Sequence, residues 1–122
     1  MNILLSVLIA FVMIAGGCAH LAATSYFVPL VPPFLPATPV ILVTGVLQIG
    51  IGLTALWPRT RDLGGLAFAA LCVAYLPLHL WDYVRAHPVF APPVAATIRV
   101  VIQLFFIWAG YTLWKRVRGN RA

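Results

Sequence analysis

Acid is almost missing from this chain. Among 122 residues there is no glutamate, and the only two carboxylate side chains are Asp62 and Asp82. Charge of either sign is scarce, at 8% against 63% hydrophobic residues. The mean hydropathy of +1.03 lies far outside the range of an ordinary soluble domain. No hydrophilic stretch is long enough to form a separate soluble domain. The shortage of carboxylates excludes paired-carboxylate chemistry, and neither a Ser/His/Asp triad nor a phosphate loop is present. The chain therefore reads as non-catalytic, with no catalytic residue and no metal site to name.

Cysteine is nearly as rare. Cys18 and Cys72 are the only two, and no CxxC pair exists for dithiol chemistry. Placed on spanning helices, they differ in depth by about 10 Å. That exceeds the roughly 7 Å Cα separation a disulfide tolerates, so both are expected to be free packing residues. "IAGGC" before Cys18 resembles a lipoprotein cleavage box only loosely. The leading "MN" has no basic residue, and Ala15 stands where a branched aliphatic is usual, so cleavage is not expected.

What is present in abundance is long apolar runs. Four of them, about 3–25, 39–57, 63–84 and 93–114, are each long enough to cross a hydrocarbon core as a helix. The expected fold is all-α, a single integral membrane four-helix bundle. Its breaks are a proline-rich loop over 28–39, the turn "WPRTRD" and the stretch "RAHPVFAPP", whose last proline can open the fourth helix. The net charge of +6 comes from Lys and Arg. Nucleic acid is not the expected partner, because Lys115, Arg116, Arg118 and Arg121 directly follow an apolar helix and read as a basic tail, 115–122, against anionic lipid. With Arg59 and Arg61 they make six basic residues on one side, against Arg85 and Arg99 elsewhere. That asymmetry predicts both termini in the cytoplasm and the proline loop outside, in a multi-pass protein of a bacterial inner membrane.

Within the spans, glycines in the first three helices predict close backbone approach. Depth counted along the helices places His20, Thr44, His79, Asp82 and Arg99 in one layer of the outer leaflet, with Gln48 and Gln103 about a turn deeper. His79 and Asp82 share a helix face, as do Arg99 and Gln103. A charge near mid-helix costs roughly 2.5–3.5 kcal/mol on insertion scales, so these faces should turn into the bundle. An Asp82–Arg99 ion pair is expected, with His20 and His79 beside it. Two readings remain open: the pair only locks two helices together, or His20, Gln48, His79, Asp82, Arg99 and Gln103 line an outward-opening pocket. The kink expected at Pro77 suits the second.

"AGGCAHL", "VPPFLPATPVILVTGVLQIGIGL", "PLHLWDYVRAHP" and "RVVIQLFFIWAG" together resemble the DoxX-like family of small four-helix bacterial membrane proteins. The resemblance implies a link to quinone-coupled or thiol redox systems. It carries over to His20, Pro77, His79, Asp82 and Arg99, but the paired cysteines that disulfide chemistry requires are missing. No bound cofactor is required. A quinone, or a similar carbonyl-bearing ring between Tyr75, Trp81 and Phe106 with Arg99 and His79 as donors, is the first expectation. The alternatives are a small oligomeric transporter using Asp82, His79 and His20 as a proton relay, and haem held by His20 and His79. Expected partners are the lipid bilayer and either a second copy or a redox partner protein.

Overall fold

The computed structural model describes residues 1–122, and all of its regular secondary structure is helical. Its elements are α1 (Asn2–Ala22), a single turn α2 (Thr24–Phe27), a 3-10 turn at Val28–Leu30, α3 (Ala37–Leu56), α4 (Arg61–Trp81) and α5 (Val94–Gly119). The four long helices have 20 to 26 residues each and are apolar enough to cross a membrane. They form an antiparallel four-helix bundle, with α1 packed most extensively on α3 and α4 on α5. Both termini and the α3–α4 turn share one end, where Arg121 bonds the Pro58 and Arg59 carbonyls and Met1 lies beside Arg116. The proline-rich loop and the 82–93 connection occupy the other, the proline end.

Close packing within each pair rests on glycine meeting backbone. A Cβ on Gly45 would sit 2.9 Å from the His20 Cβ and 3.1 Å from the Gly17 carbonyl oxygen. One on Gly110 would sit 2.6 Å from the Gly65 carbonyl oxygen. These contacts hold α1 to α3 and α4 to α5 without side chains between them, which suits helices that gain no hydrophobic drive from association in lipid. Leu5, Ile9, Met13, Ile51, Phe68 and Leu113 fill the central core. Only 25 of 122 residues are buried, while Leu4, Phe11, Val46 and Val101 are more than half exposed, so the outer surface is matched to lipid rather than water.

The helix ends differ from expectation by three residues or more in three places, all at C-terminal ends. The first helix stops at Ala22 rather than 25, because the Thr24 hydroxyl turns back to the His20 carbonyl at 2.8 Å and the chain bends at Ala23. The third span ends at Trp81 rather than 84, leaving Asp82 as its C-cap residue. The fourth continues past 114 to Gly119. Lys and Arg are good helix formers and favour a helix C-terminus, so the change in polarity there does not end the helix. The basic tail is thus mostly helical, and its last arginine is not free: Arg121 pairs with Asp62 at 2.9 Å.

Candidate functional site

A cavity of about 170 Å³ opens at the proline end between all four long helices. His20 enters from the last turn of α1, Thr44 from the second turn of α3, Tyr75 and His79 from the last turns of α4, and Arg99 from the start of α5. Phe27, Leu30 and Val31 line the outer part of the cavity. Spacing explains the α4 wall, since Tyr75 and His79 lie i, i+4 on one face. The ends of the helices supply every polar group because insertion cost falls toward the helix termini.

The two histidines are held alike. His20 Nδ1 lies 2.7 Å from the Gly16 carbonyl and His79 Nδ1 lies 2.8 Å from the Tyr75 carbonyl, each four residues back on its own helix. A carbonyl only accepts, so each Nδ1 carries the proton and donates it. Phe27 stacks on the His20 ring with centroids 4.0 Å apart. Gln48 Nε2 donates to the Tyr75 hydroxyl at 3.1 Å, so Gln48 fixes the cavity wall from behind.

Asp82 and Arg99 form an ion pair at 3.1 Å, the carboxylate being almost wholly buried. Asp82 also accepts the Val89 N–H at 3.0 Å and the Phe90 N–H at 3.4 Å, with Arg85 3.7 Å away. Its oxygens are therefore committed to the 82–93 connection and to Arg99. Arg99 alone of the pair reaches the cavity, its guanidinium carbon lying 4.4 Å from the Phe90 ring centroid. Arg85 ties the same region to the proline loop, donating to the Pro29 carbonyl at 3.0 Å and lying over Trp81.

Of the six residues read as a ligand-binding layer, the structure brings His20, His79 and Arg99 into one cavity. Gln48 braces it through Tyr75, and Asp82 lies behind Arg99. Gln103 points elsewhere, donating to the Cys72 carbonyl of α4 at 2.8 Å. The aromatic wall also differs from the expected one. Tyr75 is in place, but Trp81 faces Arg85, and Phe106 packs on Phe68 at 5.6 Å in the core. Phe27 supplies the missing ring, and it could not be chosen from sequence because it sits on a one-turn helix whose direction depends on the bend at Ala23. His79 is also not the expected donor, since its N–H is spent on Tyr75. A cavity of this size is too small to seat a porphyrin between the histidines. Cys18 is exposed and Cys72 is buried, both as free thiols.

A family model for a domain of unknown function (DUF8561) matches residues 9–113. The chain belongs to the DUF8561 family. The span shared with that family includes every residue of the cavity and the Asp82–Arg99 pair, and it leaves out Ser6 and the Arg121 contact at the opposite end. No curated protein and no solved structure matches this DUF8561 chain.

Proposed function

We propose that this DUF8561 protein is a DoxX-like, non-catalytic component of a membrane redox system, and that it holds the head of a small ring compound of the quinone class in the cavity at the proline end. The observation that carries this reading is the convergence of His20, Thr44, Tyr75, His79 and Arg99 on a mostly apolar cavity of about 170 Å³. A dry apolar cavity of roughly 150 Å³ accommodates benzene, whereas drug-sized ligands use about 300–1,000 Å³. The space suits one six-membered ring, with any apolar tail left in the surrounding lipid. The quinone arm is favoured over a thiol arm because Cys18 and Cys72 lie on different helices, one exposed and one buried. A proton relay through Asp82 has little support, since its oxygens already accept from two backbone amides and Arg99.

The protein on this reading is multi-pass in the bacterial inner membrane with both termini cytoplasmic, so the cavity lies in the outer leaflet. Lipid surrounds it, and a second copy or a redox protein is the partner that would draw on the bound ring. The purified protein in detergent, titrated with hydroquinone under reducing, oxygen-free conditions, is expected to show a saturable rise in Tm. Phe27→Ala should weaken it by removing one wall while the unliganded Tm changes little, because α2 touches the bundle only at its edge. A Tm shift that persists unchanged in Phe27→Ala places the ring elsewhere and overturns the reading.

A further inference from the structure

The hydrogen-bonding groups left free in the cavity are unbalanced in a way that selects among ring compounds. With Nδ1 of His20 and of His79 each donating to a carbonyl of its own helix, the polar atom remaining on each ring is Nε2, which makes no hydrogen bond within the protein. In the neutral imidazole that atom has a lone pair and no hydrogen, so it accepts. Tyr75 accepts from Gln48, which leaves its own hydroxyl hydrogen free to donate, and Arg99 keeps N–H groups beyond the one given to Asp82. Thr44 gives its hydroxyl hydrogen to the Val40 carbonyl at 2.8 Å, so its oxygen is left to accept, and the cavity presents the two Nε2 atoms and this oxygen as acceptors as well as its donors.

A ring bearing only carbonyl or ether oxygens satisfies Tyr75 and Arg99 but, once it displaces water from the cavity, leaves both Nε2 atoms without a partner, which is costly. A ring hydroxyl satisfies both kinds of group, since it donates one hydrogen and accepts through its oxygen. Two Nε2 lone pairs could also begin a metal site, but no group of three His, Cys, Asp or Glu side chains forms one here, and the carboxylate of Asp82 is already spent.

We infer that the cavity selects the hydroxylated, reduced form of its ring ligand, a hydroquinone-type head, with His20 and His79 Nε2 accepting its hydroxyl hydrogens. This rests on the ring-binding reading above and reverses the donor role first expected of His79. The test compares hydroquinone with its dimethyl ether, which keeps the ring and both oxygens but has no hydrogen to donate. Kd is measured for the full chain in detergent without oxygen. Hydroquinone is expected to bind at least about tenfold tighter, the equivalent of roughly one hydrogen bond. His79→Leu and His20→Leu should each reduce that ratio, with the unliganded Tm as the check on folding. If both compounds bind with equal affinity, or the ether binds more tightly, the hydroxyl preference is overturned while ring binding stands. If neither binds, both are overturned. The wild-type ratio decides between these outcomes even where a histidine variant fails to fold.

Discussion

At the residue scale, Asp82 shows how a single carboxylate can organise one end of a membrane bundle. It ends α4, accepts two backbone amides from the following connection and neutralises Arg99. Removing it leaves the guanidinium and both N–H groups without partners, whereas removing Arg99 leaves a carboxylate that still has two amides. The two variants should therefore differ. Asp82→Ala is expected to cost about 3–5 kcal/mol, the range for breaking a buried pair. Arg99→Gln, whose side chain is partly exposed at 18%, should cost closer to about 1–2 kcal/mol. A double-mutant cycle by unfolding in detergent checks both. Coupling below about 0.5 kcal/mol would mean that the ion pair contributes nothing to stability.

At the scale of the helices, some glycines are packed against a neighbouring helix and others meet nothing. Gly45 has the His20 Cβ and the Gly17 carbonyl against it, while Gly50, on the same helix, has no atom within 4 Å. The same substitution should therefore have opposite signs at positions five residues apart. Gly45→Ala pushes α1 from α3 and is expected to destabilise by about 1–3 kcal/mol, as overpacking does. Gly50→Ala should be neutral, or stabilising by up to about 1 kcal/mol, because alanine is the better helix former. Thermal unfolding of the two variants in one detergent measures the difference. A cost at Gly50 as large as that at Gly45 would show that a second surface covers α3 there. Gly45 also borders the cavity through His20, so its variant should weaken ring binding where the Gly50 variant does not.

At the scale of the whole molecule, charge and topology bear on one another. Arg59, Arg61, Lys115, Arg116, Arg118 and Arg121 belong to the end of the bundle that holds both termini, and Asp62 is tied there to Arg121. Basic residues flanking spans remain cytoplasmic. A phosphatase fused after Ala122 should therefore be inactive, and one inserted in the 32–36 loop should be active. The reverse pattern would turn the cavity toward the cytoplasm and its ligand with it. Arg61 and Ser6 add a polar network at this end, Arg61 Nε donating to the Ser6 hydroxyl at 3.0 Å while that hydroxyl bonds the Ala55 carbonyl. Spacing did not reveal it, because Ser6 and Arg61 are 55 positions apart and belong to different helices.

The number of helices, their apolar outer faces and the inward turn of their polar residues follow from local properties of the chain. Span length and insertion cost act on each segment alone, and i, i+4 spacing relates residues only within one helix. That is why His20, His79 and Arg99 could be singled out from sequence and Phe27 could not. Which polar groups share a cavity depends on how each helix is rotated against its neighbours. Contacts such as Gly45 with Gly17 and Gly65 with Gly110 set that rotation, between residues distant in sequence. The same rotation turns Gln103 to a helix carbonyl and Phe106 into the core, away from the cavity they were expected to line. The direction of each histidine's N–H is a different case: the carbonyl it bonds lies four residues back on its own helix, and only the side chain's rotamer in the folded chain shows that the ring turns to it.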